Sequence, residues 1–397
     1  MNRIHRLLKP VKVDWNNKLI NIHWNDNKSC NFHNLWLRDH SRDAHSFHPI
    51  TKQRLVDTYA IPDSIQPIEV SQSDTTLSVR WNDNSTCKYP YHWLYNNSYY
   101  PKLSEVKRDI KPTWNAQQIR QNTPTTQYTD IVHSDKGILN WLQNIHTHGI
   151  GFVEGVPSTP EHTEQLTQQI TFIRQTHYGT FWDFTSDLSH GDTAYTDIAL
   201  GAHTDTTYFT DPIGLQLFHL LQPATVQGGD SLFIDGFHCA NILKQLDPPA
   251  FDTLSTTPIP SHSVGSQDAI IKPAQQSGYP IINLDNITGE LLQIRYNNDD
   301  RSVLNALSPK RVEDFYRALK IWNGILNDPR NQFWLPLEKG KVVLFDNWRI
   351  LHGRSAFSGK RRLCGAYINH DDYMSRLRTL TEKHFDHDLR NEYGTLF

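Results

Sequence analysis

Five short apolar runs constrain the fold of this chain more than any other feature: Ile213–Leu221, Ser231–Ile234, Pro280–Leu284, Leu291–Tyr296 and Val342–Phe345. Gly228, Gly229 and Gly340 punctuate them. Apolar runs this short, set off by glycine, read as strands. Helical signatures lie around them. Ser134 is placed to cap a helix in which Ile138, Leu142 and Ile145 share a face, and Gly149 stops it. Thr159-Pro160 and Ser308-Pro309 open two more helices, the second with the stripe Val312, Phe315, Leu319, Trp322 and Leu326. Strands in the middle with helices flanking them predict a mainly β fold carrying a few helices, not a doubly wound α/β sheet.

The first hundred residues contain an internal echo. Trp24-Asn-Asp-Asn-Lys-Ser-Cys30, followed by Trp36-Leu37, resembles Trp81-Asn-Asp-Asn-Ser-Thr-Cys87, followed by Trp93-Leu94. Asn-Asp-Asn between apolar runs is hairpin chemistry. Residues 1–97 therefore read as a small β-rich domain, the polar stretch 98–128 as a linker, and 129–397 as the main domain.

Charge and cysteine content narrow the function classes. A formal net charge of -3 over 397 residues, with no basic run, leaves no footprint for nucleic acid. No window is apolar enough to span a membrane. Four cysteines form no disulfide framework, which favours a reducing compartment. Arg3, Arg6 and Lys9 precede the first acid, Asp14, giving the start a trace of transit-peptide character. A cytoplasmic location is expected, with the mitochondrial matrix as the alternative.

The chemistry concentrates in His203-Thr-Asp205 and His352. Two imidazoles and one carboxylate on one face of an iron leave three positions open, as oxygen-activating non-haem iron requires. The short H-x-D supplies two ligands from one turn, and His352 follows a distant strand. With 21 His in the chain, an H-x-D also arises by chance as a surface pair. Arg361 lies nine residues after His352, a distance one hairpin covers, and its guanidinium fork suits a dicarboxylate. Lys360 and Arg362 flank it, so a plain surface charge is the competing reading. Ser231, in Gly228-Gly-Asp-Ser231, offers a hydroxyl as a second contact.

These segments resemble a known family. His-Thr-Asp-Thr-Thr-Tyr-Phe at 203–209, Gly-Gly-Asp-Ser at 228–231, Arg-Tyr-Asn-Asn at 295–298 and Asp-Asn-Trp-Arg-Ile-Leu-His-Gly-Arg at 346–354 are similar to the γ-butyrobetaine/trimethyllysine hydroxylase family of Fe(II)/2-oxoglutarate oxygenases. The trimethyllysine branch is the closer match, through Thr204–Phe209, the run Phe184–Tyr195 and Arg361-Arg-Leu-Cys-Gly365. The resemblance implies a double-stranded β-helix (jelly-roll) domain, Fe(II) on His203, Asp205 and His352, and 2-oxoglutarate on Arg361 with Ser231. It also implies ascorbate as the accompanying reductant and a homodimer.

The implied substrate carries a quaternary ammonium. Such a group donates no hydrogen bond and is held by charge and aromatic faces, each worth about 0.5–2 kcal/mol. By resemblance Tyr178, Trp182, Tyr195 and Tyr367 match the family's cage. Tyr178 and Trp182, four apart, are expected on one side of a helical turn. Asp192 and Asn297 are the candidates for the substrate's amino-acid end, since an α-ammonium calls for a carboxylate.

One departure stands out. The family carries a structural zinc on a C-x-C-x-x-C cluster after a W-L-R-D stretch, with a later His. Here Trp36-Leu-Arg-Asp39 is followed by Ser41, Asp43 and Ser46 at the cysteine positions, with Ser85 at the histidine. Serine is a poor zinc ligand, so zinc is not expected, although His40, His45 and His48 leave room for a rearranged site. Cys30 and Cys87 read as buried small residues. The expected activity is C3 hydroxylation of trimethyllysine. The alternatives are γ-butyrobetaine hydroxylation and a non-catalytic betaine-binding protein.

Overall fold

The computed structural model describes residues 8–104, 111–185, 197–224, 227–265 and 269–385. The chain divides into two compact units, Met1–Asp109 and Ile110–His387.

The echo is a structural duplication in the first unit. Strands β1 (Pro10–Trp15), β2 (Leu19–Trp24) and β3 (Ser29–His33) form an antiparallel meander closed by helix α1 (Asn34–Asp39). Strands β4 (Pro67–Gln72), β5 (Thr76–Trp81) and β6 (Thr86–Pro90), with α2 (Tyr91–Asn96), repeat it. Each Asn-Asp-Asn turn places its last residue at positive φ, Asn27 at 65° and Asn84 at 68°, a conformation asparagine tolerates. In both copies the buried Trp donates from Nε1 to the buried Cys Sγ at 3.3 Å. The copies also exchange a hydrogen bond. Arg38, just after Trp36-Leu37, donates to Asp83 in the second turn, and Tyr95, just after Trp93-Leu94, donates to Asp26 in the first, both at 2.7 Å.

A polar network occupies the serine-substituted cluster. Ser41 donates to Asp43, Cys87 Sγ lies 3.6 Å from Asp43 Oδ2, Arg38 donates to Ser46 at 2.9 Å, and Ser85 donates to Asp83 at 2.5 Å. Burial pushes the Cys30 thiol up to about 11, which keeps it a thiol.

The second unit is built on two sheets. The larger has the order β7 (Thr125–Gln127), β8 (Ile150–Glu154), β19 (Lys341–Asp346), β11 (Leu215–Gln222), β22 (Arg362–Ile368) and β9 (Phe181–Thr185), antiparallel except for β7 on β8. The smaller has the order β10 (Leu200–His203), β20 (Ile350–Arg354), β13 (Ser231–Asp235) and β18 (Phe333–Leu335). Short pairs complete the strands: β12 (Gln227–Gly228) with β21 (Phe357–Ser358), β14 (Ile259–His262) with β15 (Ala274–Tyr279), and β16 (Ile282–Leu284) with β17 (Leu291–Ile294). This is the double-stranded β-helix, and the expected runs lie on β11, β13, β16, β17 and β19.

Alternation decides which side chain faces what. On β19 and β11, Val342, Leu344, Leu215 and Leu217 pack with α5 (Asp135–His148) and α10 (His370–Phe385). Val343, Phe345 and Phe218 face inward, and Phe345 meets Phe233 of the smaller sheet at 5.4 Å. Outside the smaller sheet, α7 (Gly236–Leu246), α8 (Pro248–Thr256) and α9 (Pro309–Leu326) form their own core around Trp322 and Phe315.

The helix signatures lie where the caps placed them. Ser134 accepts from Gly137 N to start α5, and Gly149 ends it at φ 74°. Thr159 caps α6 (Pro160–Gln168). The stretch read as a linker is different. It carries α3 (Ala116–Gln121), with a full capping box on Asn115, then β7 and the start of α4 (Tyr128–His133). Its anchor is Trp114, 4% exposed, whose backbone N–H donates to Asp235 and whose indole N–H donates to the His148 carbonyl. One large apolar side chain outweighs the polar composition around it.

Candidate active site

The metal-ligating candidates converge at the edge of the smaller sheet. His203 ends β10 and pairs in register with His352 of β20. Asp205 sits in the turn beyond, where Thr206 takes φ 59° and its hydroxyl accepts from Ile213 N at 2.9 Å. Asn347, 1% exposed, holds this turn: its Oδ1 accepts from Asp205 N at 2.8 Å and its Nδ2 donates to the Asp205 and Ile213 carbonyls, both at 3.1 Å. Arg295, also buried, donates to the carbonyls of Thr207 and Phe209 and stacks on Tyr279 at 3.9 Å. A strained turn is thus fixed from both sides.

The result is a three-atom constellation. His203 Nε2 lies 3.2 Å and His352 Nε2 3.8 Å from Asp205 Oδ1. All three ligand atoms fall within 4.8 Å of one another, and among the described residues no other group of three His, Cys, Asp or Glu does so. The Gly201 carbonyl lies 2.8 Å from His203 Nδ1 and so fixes the tautomer that leaves Nε2 as the ligand. Burial works against charge here. The flanking imidazoles nonetheless hold Asp205 below the usual carboxylate range, and the Asp205 carboxylate holds His203 above the usual imidazole range. Burial and the His203 charge push His352 down. Two imidazoles and one carboxylate converging on one point form a donor set that fits a divalent iron.

A cavity of about 540 Å³ opens beside these ligands. Arg361 lines it, 7% exposed, with no carboxylate partner among the described residues. It is no surface charge, and burial lowers its pKa to about 10. Its flanking Arg362 does face outward, paired to Asp183. Gly228 and Gly229, at φ 79° and 84°, turn the chain past it, and a Cβ on Gly229 would stand 3.4 Å from Arg361 Nε. A second buried guanidinium, Arg354, lines the same cavity, and the Phe357 ring lies 4.7 Å from Arg354 and 5.8 Å from Arg361. Ser231 faces the cavity too, opposite Arg354 in the sheet register.

Tyr178, Trp182 and Tyr367 all line the cavity, with Trp182 and Tyr367 in edge contact at 5.8 Å. The helical turn expected of Tyr178 and Trp182 is not what brings them together. Trp182 lies on β9, paired to Gly365 of β22, and Tyr178 lies in the irregular segment before it. Asn297 also lines the cavity, its Nδ2 donating to Asp300 at 2.9 Å. Asp192 and Tyr195 lie outside the described residues.

Tyr208, Gln216, Phe218 and Arg354 are among the lining residues that sequence reasoning passed over. Tyr208 and Arg354 fall inside the quoted motifs, which was a usable signal. Gln216 and Phe218 sit in a run read only as apolar strand.

Comparison with known proteins shows the family. The taurine catabolism dioxygenase TauD, TfdA family matches residues 107–367, and the γ-butyrobetaine hydroxylase-like N-terminal family matches 11–96. A trimethyllysine dioxygenase of Meyerozyma guilliermondii is 41% identical over 94% of this chain and 96% of its own. The mitochondrial trimethyllysine dioxygenase of Homo sapiens is 38% identical over 94% and 91%. A γ-butyrobetaine dioxygenase of Pongo abelii is 29% identical over 92% and 95%. A solved putative α-ketoglutarate-dependent taurine dioxygenase from Burkholderia xenovorans is 13% identical with a TM-score of 0.47, covering 62% of this chain and 89% of that one.

Proposed function

The chain belongs to the TauD/TfdA dioxygenase family and, within it, to the trimethyllysine dioxygenases, and from that premise we propose that it hydroxylates Nε-trimethyllysine at C3, the first step of carnitine biosynthesis, while converting 2-oxoglutarate to succinate and CO2. One observation carries the reading from the chain's own residues. A single cavity brings together an iron-competent triad, a buried guanidinium with no carboxylate partner among the described residues, and three aromatic faces.

His203, Asp205 and His352 would hold Fe(II). With O2 and 2-oxoglutarate, that ion supplies the oxidation that turns a C–H bond into C–OH. The protein's part is placement. Arg361 takes the distal carboxylate of 2-oxoglutarate, with Ser231 as a second contact; the fork geometry of guanidinium suits that task. Tyr178, Trp182 and Tyr367, with Tyr195, offer faces to the trimethylammonium. Asp192 and Asn297 take the amino-acid end, so that the chain between the two ends lies across the metal. Phe218 and Phe345, 5.7 and 5.0 Å from the His352 ring, keep water from that side.

Ascorbate as supporting reductant and a homodimeric assembly belong to the same proposal. Omission of ascorbate and sedimentation test them. The word mitochondrial in the mammalian relatives' names supports the matrix alternative over the cytoplasm, and subcellular fractionation decides it. The activity itself is tested with Fe(II), 2-oxoglutarate, ascorbate and trimethyllysine. The expected product carries one added oxygen, at C3, in one-to-one ratio with succinate. Succinate release that ignores trimethyllysine would refute the assignment.

A further inference from the structure

Two side chains outside the triad act on one oxygen of Asp205. Gln216 donates from Nε2 to Asp205 Oδ2 at 2.8 Å, and the Tyr367 hydroxyl donates to the same oxygen at 3.0 Å. Both imidazole nitrogens instead face Oδ1. The carboxylate is therefore divided, with one oxygen saturated by neutral donors and the other turned to the ligand cluster.

The fold makes this division deliberate. Gln216 and Tyr367 are directly opposed across β11 and β22, so the sheet pleat aims both at one point. Gln216 is 2% exposed and stands on the inward face beside Phe218, a place where an unpaired amide is costly. Its Oε1 meets no donor among the described residues, so its orientation is set by the carboxylate it serves. The amide admits only one assignment here, because a carboxylate oxygen accepts and cannot face a carbonyl oxygen at 2.8 Å.

We infer that Gln216 and Tyr367 are positioning residues that hold Asp205 to one-oxygen coordination, leaving the remaining metal positions for co-substrate and oxygen. Tyr367 has a second consequence. Its ring lines the cavity against Trp182 while its hydroxyl holds a metal ligand, so one side chain links the proposed trimethylammonium cage to the metal. The inference rests on the metal-site reading of His203, Asp205 and His352.

The test is anaerobic titration of the full chain with Co(II), read by the visible d–d spectrum and its dissociation constant, for wild type, Gln216→Leu, Tyr367→Phe, the double variant and His203→Ala. Loss of an outer-shell partner of a ligand typically weakens metal binding about 10- to 100-fold. Each single variant is expected to weaken Co(II) binding by about tenfold and to change the band shape as Oδ2 becomes free to coordinate. The double variant is expected to weaken it further. Tyr367→Phe keeps the ring and removes only the hydroxyl, so a fall in metal affinity and a changed band shape report the lost contact to Asp205 Oδ2. A merely structural role would lower the melting temperature and leave the spectrum of the loaded protein unchanged. Should Gln216→Leu fail to fold, Tyr367→Phe, which removes one oxygen, carries the test alone. Spectra and affinities equal to wild type in the folded variants, with binding lost in His203→Ala, would overturn the inference. No binding by wild type would overturn the metal-site reading beneath it.

Discussion

At the residue scale, Arg361 and Gly365 separate the two binding tasks of the cavity. Arg361→Met removes a charge-assisted hydrogen bond worth about 1.5–3 kcal/mol, so the KM for 2-oxoglutarate should rise by roughly 10- to 150-fold, with partial recovery in Arg361→Lys. Steady-state kinetics with 2-oxoglutarate varied checks this. At Gly365 a Cβ would lie 1.9 Å from the Leu217 carbonyl oxygen and 2.3 Å from the Trp182 ring. Gly365→Ala should therefore push β22 from β11 as well as displace Trp182, lowering the melting temperature and raising the KM for trimethyllysine more than that for 2-oxoglutarate. The triad and Arg361 stood out in the sequence because they fall in several short motifs that occur in a fixed order. Gln216 was not. Its partners Asp205 and Tyr367 lie 11 and 151 positions away, and only the strand register brings all three together.

At the element scale, local chemistry was read well and pairing was not. Ser134, Thr159 and Gly149 mark helix ends because capping is satisfied within a few residues. Tyr178 and Trp182 misled, since a four-residue spacing suggests a helix while the pairing of β9 with β22 is invisible locally. The segment 111–128 misled because its polar composition hid Trp114 and the buried partner behind it. That partner is the Arg349–Asp235 pair, both side chains 0% exposed. Asp235 caps α7 through Phe237 N and His238 N and accepts from Trp114 N, while Arg349 also donates to the Thr147 and Pro112 carbonyls. Breaking such a pair leaves a buried charge uncompensated. Arg349→Met should destabilise the second unit by about 3–5 kcal/mol in denaturant unfolding. A loss under 1 kcal/mol would show that the pair is not the anchor.

At the scale of the whole molecule, the two units bear differently on metal. In the first, Arg38 donates to Asp83 and Ser46, Ser41 to Asp43 and Ser85 to Asp83, at the positions that the resemblance matches to a zinc cluster. Metal analysis of protein reconstituted with Fe(II) and Zn(II) should find about one iron per chain, lost in His203→Ala, and no stoichiometric zinc resistant to dialysis. Among the described residues no helix is long and apolar enough to cross a membrane. A mainly β fold with flanking helices was legible from the short strands and helix caps, and its double-stranded β-helix form only through the family resemblance. The choice of substrate was legible only through the family motifs, because an aromatic cage has no spacing of its own. The most direct measurement is therefore the ratio of kcat/KM for trimethyllysine to that for γ-butyrobetaine, from succinate release under Fe(II) and 2-oxoglutarate. A trimethyllysine 3-hydroxylase gives a ratio of at least about a hundred, since γ-butyrobetaine lacks the α-ammonium and leaves its partner group unpaired. A ratio below one would contradict the assignment.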